Sequence, residues 1–535
     1  MAGTGIRNPI LPGFHPDPSI CRVDDDYYIA TSTFEWYPGV RIHHSRDLRN
    51  WQPASRPLDR PELLNMLGSP DSCGVWAPCL SYSNGLFYLL YTDVKRYDGN
   101  FKDTHNYLTT CESIDGYWSD PVHLNSSGFD PSFFHGEDGR KWYVNMVWDF
   151  GPGRSPFAGI ALQEYSPRQQ RLVGERRMIF PGTELGCTEG PHLYKRNGYY
   201  YLLTAEGGTG YGHAVTMARS RSIEGPYEPD PAGPVITSRH DPAWPLQRAG
   251  HADLVETRQG ELFMVHLASR ALPGTRLSPL GRETAIQNLE YTDDGWFRLA
   301  RGQVLPQLEV EPPALPAGTP AAVLGHDDFD ERQLNPDYQW LRTPWPEEFI
   351  SLSERPGWLR LYGMESPGSR YRQALIARRL TGSRCRATTC MEFEPDNFQQ
   401  LAGLIVYYNS SKFHYLYLST QDGAGRHLGI MSCEAERSLD VVYPLGDRPI
   451  ALPATGQVSL RADVDGAKLV FSWSTDSTGW TAIDCTLDMG FLSDEYGGDS
   501  RIQFTGTFIG LCCNDLTGAR RHADFDYLAL ENPPG

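Results

Sequence analysis

Five times in the first three hundred residues, a polar turn gives way to an alternating run rich in aromatic side chains. The runs are VDDDYYIATS, SNGLFYLLYT, EDGRKWYVNMVW, KRNGYYYLLTA and RQGELFMVHLA, marked by Tyr28, Tyr88, Tyr143, Tyr201 and Phe263. Successive markers lie 60, 55, 58 and 62 residues apart. An Asp/Asn/Gly turn followed by period-two alternation predicts the second half of a β-hairpin. In several repeats a tail such as SRDLRNWQ, SIDGYWSD or SIEGPYEP follows. Four short strands per repeat, repeated five times, predict a five-bladed β-propeller over residues 1–303.

The pattern then changes. VLPQLEVEPPALPAGTPAAVLG, rich in Pro and Ala and without periodicity, predicts a linker over 304–325. From 326 to 535 alternation returns without the repeat, in WLRLYG, ATTCMEFEP, AGLIVYYNSSKFHYLYLST, GQVSLRADVDGAKLVFSWS and ADFDYLALE. Many strands joined by polar turns predict a β-sandwich. The fold class expected is therefore all-β, a propeller followed by a sandwich. Its 535 residues are too many for one core, and its 53 glycines, 41 prolines and 28 tyrosines favour turns and strands over helices.

The repeat also aligns chemistry. Eleven to thirteen residues before each marker aromatic stand Asp17 in GFHPDPSI, Trp76 in VWAPCL, Asp130 in FDPSFF, Glu189 in TEGPHL and His251 in GHADLV. A lone Asp-Pro is ordinarily a turn initiator. In a propeller, however, the first strand of each blade lines the axis, so residues in one register converge on one end of the channel. Three acids, a Trp and a His would then share a pocket. Glycoside hydrolysis needs two carboxyl groups, one to protonate the departing oxygen and one to activate water or attack the sugar. A third acid nearby would hold the proton donor's pKa up by like-charge repulsion. The rival from another class is a non-catalytic sugar-binding propeller, which would need aromatics but no proton donor.

Charge and cysteine usage narrow the partners. A formal net charge of −18 with no basic block speaks against nucleic acid and anionic membranes. No stretch has the ~20 apolar residues of a membrane span, and MAGTGIRNPILPGF lacks a secretory pattern. A cytoplasmic protein is expected. The 11 cysteines are scattered without metal-ligand spacing and read as buried thiols.

The residues carry a family resemblance. NPILPGFHPDPSI, VWAP, FDPSFF, NMVWDF, TEGPHLYKRNGYYYLLTAEGGTGYGH, GHADLVET and LGRET followed by DDGW resemble glycoside hydrolase family 43, most of all its β-xylosidases, in order across residues 8–296. The resemblance implies inversion, with Asp17 as general base, Glu189 as general acid and Asp130 tuning the acid and orienting substrate. It also implies that Arg282 and Thr209 contact the sugar and that Phe34, Trp76 and Trp148 wall the subsite. His251 has two open readings, a substrate or structural role or help in holding calcium; a single histidine is no calcium signature, since that ion prefers six to eight oxygens. No cofactor is otherwise required. In similar β-xylosidases the second domain reaches a loop over the pocket, and in FTGTFIGLCCND the matching side chain is expected to be Phe508, with a core role as the alternative. Two other readings of the sandwich stand beside this one, a carbohydrate-binding module and simple packing on the propeller. The implied activity is exo-hydrolysis of β-1,4-xylo-oligosaccharides, with α-L-arabinofuranosidase activity as the close alternative, in a homo-oligomeric dimer or tetramer.

Overall fold

The structure is a computed structural model and describes residues 5–320, 325–421, 425–434, 441–496 and 503–532. Part of the expected linker, 321–324, lies outside the described residues.

Each sequence repeat folds as one antiparallel four-stranded sheet, with an additional short strand in the fourth. Blade 1 comprises Ser19–Val23, Asp26–Thr31, Arg41–Ser45 and Gln52–Ser55, and blade 2 comprises Gly74–Ser83, Leu86–Arg96, Asp103–Cys111 and Val122–Asn125. Blade 3 comprises Ser132–His135, Lys141–Trp148, Phe157–Ser166 and Arg171–Phe180. Blade 4 begins with Glu189–Arg196, Tyr199–Glu206 and Ala214–Ser220, and blade 5 with Gln247–Glu256, Leu262–Ser269 and Glu283–Tyr291. All five marker aromatics fall on the second strand of their blades. The hairpins turn as their sequences dictate: Asn84–Gly85 and Asn197–Gly198 both adopt the left-handed region, with φ of 53° and 80° and of 49° and 75°, the geometry that Asn-Gly supplies.

The first strand of each blade packs on that of the next, and the fifth packs on the first, closing a ring. The chain's start secures the closure. Ile6–Arg7 pairs with Glu309–Val310, and the Asn8 side chain donates to the Ile286 carbonyl while accepting from its N–H. Ile6, Ile10 and Leu11 share a core with Ile20, Ile29, Val265 and Ile286 of blades 1 and 5. The stretch read as a linker is strapped to the propeller: Gly318 N–H donates to Asp47 at 2.7 Å and Trp244 Nε1 to the Pro306 carbonyl at 2.7 Å.

The second domain is two stacked antiparallel sheets. One is built on His522–Glu531, Arg384–Glu392, Val458–Asp465 and Lys468–Ser474. The other runs through Gly425–Glu434, Lys412–Gln421, Gln400–Asn409, Phe508–Asp515, Ala374–Arg379 and Gln339–Leu341, and its last strand belongs to the propeller. Trp36–Tyr37, from blade 1, pairs with Gln339–Leu341, setting Tyr37 opposite Trp340 and Trp36 opposite Leu341. This strand covers a sheet edge that would otherwise expose unpaired backbone groups.

Among the described residues no helix is long and apolar enough to cross a membrane. Nine of the 11 cysteines are buried, and Cys187 and Cys485 are partly exposed.

Candidate active site

The pocket is assembled at the starts of the blades' first strands, and backbone geometry aims its side chains. In every blade a residue at this point has a left-handed φ: Asp17 at 53°, Ala77 at 35°, Asp130 at 55°, Gly190 at 56° and His251 at 42°. In blades 2, 4 and 5 the strand register slips here as well, between Trp76 and Cys79, Glu189 and His192, and Gly250 and Ala252. A left-handed residue in a slipped register is a bulge, which bends the strand and re-aims the neighbouring side chain.

Ring closure brings Asp17 to Arg282, 265 residues away. The His15 N–H donates to the Arg282 carbonyl at 2.9 Å, and the Arg282 Nη1 lies 3.4 Å from Asp17 Oδ1. The other Asp17 oxygen accepts from Ser32 Oγ at 2.7 Å. Arg282 Nη1 also donates to Thr209 Oγ1 at 3.2 Å. Its Nε and Nη2 are buried with no acceptor among the described residues, an expensive state for a guanidinium.

Asp130 and Glu189 form the second half. Asp130 Oδ2 accepts from the Gly190 N–H at 3.0 Å, so Asp130 grips the backbone beside Glu189. Burial pushes the Asp130 carboxyl well above its ordinary value, and the charges of Glu189 and Asp17 add to this. Glu189 is only partly shielded from solvent, yet its enclosed surroundings, and then the charge of Asp17, push it up to about 8, with Arg282 and Lys102 offsetting in part. The like-charge pressure on the acid, expected from Asp130, comes instead from Asp17, and enclosure exceeds it.

The aromatic walls are continuous. Phe34 lies 5.9 Å from Trp76, Trp76 is 5.5 Å from Phe129 edge-on, and Phe129 is 6.5 Å from Trp148. Trp76 is pinned by Nε1 to the Ser72 carbonyl and Trp148 by Nε1 to the Asn100 carbonyl, both at 2.9 Å. Lys102 Nζ sits 4.3 Å from the centre of the Trp148 ring, a cation–π contact.

Phe508 is not a wall. It is fully buried and stacks flat on Trp36, with centroids 3.7 Å apart, on the strand that joins the domains. The side chain that the sandwich contributes is Phe504, four residues earlier. Its ring lies 6.1 Å from Phe34, 5.5 Å from Trp76 and 5.4 Å from Tyr97, and Arg282 Cζ is 5.1 Å from its centre. The Phe504 N–H donates to Ser72 Oγ at 2.9 Å, so propeller and sandwich fix this loop together.

His251 is buried beneath the acids against Gly190, where a Cβ would meet its ring at 3.1 Å. Burial lowers its pKa to about 4, with Asp17 offsetting in part, so the ring is neutral near pH 7. Among the described residues no three His, Cys, Asp or Glu side chains gather as metal ligands, and Arg282 adds positive charge nearby. These residues do not fit a protein-ligated calcium ion.

A propeller that gathers three interacting acids beside aromatic walls suits a glycosidase. The chain belongs to glycosyl hydrolases family 43, which residues 6–297 match, while residues 326–531 match the beta xylosidase C-terminal concanavalin A-like domain. It is 51% identical to the xylosidase/arabinosidase 43B of Humicola insolens, over 98% of this chain and 97% of that one. It is 47% identical to a beta-xylosidase of Bacillus subtilis, over 98% of both chains. A solved xylan beta-1,4-xylosidase from Bacillus halodurans superposes with a TM-score of 0.96 at 50% identity, covering 98% of this chain and 100% of that one.

Proposed function

We propose that the protein is an inverting, exo-acting β-xylosidase that releases xylose from the non-reducing ends of β-1,4-xylo-oligosaccharides. Asp17 takes a proton from a water that attacks the anomeric carbon, while Glu189 gives its proton to the glycosidic oxygen as the bond to it breaks. One water is consumed, and xylose and a chain one residue shorter leave. Asp17 ends protonated and Glu189 ionised, and solvent restores both. Asp130 holds the backbone at Gly190 and so fixes the acid beside it. Arg282 and Thr209 bind the hydroxyls of the terminal sugar, Phe34, Trp76 and Trp148 supply apolar faces, and His251 supports the ring from below.

The observation that carries this reading is the contrast between the two acids. Glu189 is pushed up to about 8 and so holds a proton near neutral pH, whereas Asp17 faces a hydroxyl and a guanidinium, partners suited to a carboxylate. A binding propeller has no need of that contrast. Exo-action is supported by Phe504, which closes the pocket over Arg282.

The test is Glu189→Ala on two xylosides. A general acid predicts a loss of about 10²–10⁴-fold on xylobiose and a much smaller loss on a xyloside with an activated leaving group. Equal losses on both would remove Glu189 from the role. Proton NMR of the first product should show the α-anomer. The name xylosidase/arabinosidase borne by the Humicola insolens relative favours a second reading, an enzyme that also accepts α-L-arabinofuranosides. Parallel kcat/KM values on an arabinofuranoside decide it.

A further inference from the structure

We propose a second carbohydrate subsite outside the pocket, a stacking platform made by Phe101 and Phe150 for the sugar one residue beyond the scissile leaving group. It rests on the β-xylosidase reading.

The pocket has a direction. Asp17, Arg282 and Thr209 are bonded together at one side, where the base must meet the terminal sugar. The acid must face the departing oxygen, so the leaving chain exits past Glu189. On that side stands Lys102, whose ammonium interacts with Glu189 and lies over Trp148. Lys102 Nζ donates to the Tyr97 carbonyl at 2.6 Å and Trp148 Nε1 to the Asn100 carbonyl at 2.9 Å. The first bond closes the segment around residue 100 on itself, and the second, with the Lys102–Trp148 contact, ties it to the segment around residue 150.

Phe101 and Phe150 extend from these two tied segments. Each is 57% exposed, and their ring centroids are 4.9 Å apart. Phe150 is held outward by a bonded turn: Asp149 Oδ1 accepts from the Gly151 N–H at 2.8 Å, Asp149 Oδ2 from Arg154 at 3.0 Å, and the Asp149 N–H donates to the Pro156 carbonyl at 2.9 Å. Among the described residues these are the two phenylalanines of the propeller that stand largely in water. A single exposed apolar side chain needs no explanation, but two in contact at the mouth of a ligand site mark a binding surface. A neutral pyranose ring offers the apolar C–H face such a pair fits, and along the chain Phe150 stands two residues past the wall residue Trp148, with Phe101 next to the Asn100 that pins it. Xylobiose leaves a single sugar, which Trp148 and Lys102 reach. Xylotriose leaves two, and the second one meets the phenylalanines.

The experiment compares kcat/KM on xylobiose and xylotriose for the wild type and for Phe101→Ala/Phe150→Ala. The wild type should favour xylotriose, and the double variant should lower the xylotriose-to-xylobiose ratio by about fivefold, or ~1 kcal/mol. Isothermal titration of Glu189→Gln protein, with and without the two phenylalanines, should show the same loss in xylotriose affinity relative to xylobiose. An unchanged ratio in both measurements overturns the platform. So does a change in molecular mass on light scattering, which would make the pair a contact between copies of the chain. Absence of turnover on either sugar by wild-type protein would instead sink the β-xylosidase reading, and the titrations would still report on the platform.

Discussion

At the scale of single residues, the chemistry puts function and stability in opposition at Glu189. Its carboxyl is pushed up to about 8 by enclosure and by Asp17, whereas an unfolded Glu titrates near ~4.3. Between those values the folded state binds more protons than the unfolded one, so this group's contribution to stability is complete below the unfolded pKa and declines as pH rises through about 8. Two expectations follow from one shift. The pH–rate profile on xylobiose should fall on its alkaline side near 8, and Glu189→Gln should melt higher than wild type at pH 9 but equally at pH 4. Thermal melts at the two pH values check the sign; a variant less stable at pH 9 would contradict the raised pKa of Glu189. The acids were legible in the sequence because a repeat sets them in register, so their convergence required no knowledge of contacts. The residue covering the pocket was not. Phe504 and Phe508 lie four apart, and in an extended chain both would point the same way. Only the irregular path of 503–507 before the strand Phe508–Asp515 sends one ring to the pocket and the other to Trp36.

The elements explain why acids sit at blade starts at all. In every blade a left-handed residue breaks the alternation near the start of the first strand, and Asp tolerates that conformation better than most residues. This is the physical content of the Asp-Pro repetition: the aspartate takes the strained position and the proline follows it. Blade 4 solves the problem differently, with Gly190 taking the left-handed φ of 56° and Glu189 displaced by one. Gly190→Ala should therefore be costly from two directions. The backbone carries about 1–2 kcal/mol of left-handed strain for a residue with a Cβ, and that Cβ would press on the His251 ring at 3.1 Å. Because the Gly190 N–H also anchors Asp130, turnover should fall beyond what the loss of stability explains. Measuring kcat well below the melting temperature separates the two effects, and an Ala variant with full kcat would show the bulge to be indifferent to chemistry. The hairpins were readable from turn residues and alternation; the bulges were not, since a one-residue slip leaves no mark in composition.

On the scale of the whole molecule, the sequence shows two patterned regions and a spacer, which describes two domains on a tether. The structure is more tightly knit. A propeller strand completes a sandwich sheet, and one core cluster runs from Val40, Leu58 and Val75 through Trp340 to Leu404 and Leu511. Charges cross as well. Arg342 of the sandwich is buried against Asp71 at 2.6 Å. Arg248 of the propeller meets Asp494 at 3.1 Å and Glu495 at 2.8 Å, while its Nε holds the Thr209 carbonyl at 2.9 Å. Asp494 also accepts from the Thr505 N–H at 3.4 Å, beside Phe504, so one sandwich carboxylate braces both the Thr209–Arg282 arm and the covering loop. Such cross-domain pairs are invisible to pattern because the partners lie 246 residues apart. Shared core and shared sheet predict a single calorimetric transition for the full chain. Asp494→Ala, which leaves the buried Arg248 partly uncompensated, should cost about 3–5 kcal/mol and move that single peak downward whole, while raising KM on xylobiose through Thr209 and Phe504. Two resolved transitions, with the variant shifting only one of them, would mean that the sandwich and propeller unfold independently and that the pocket does not depend on their union.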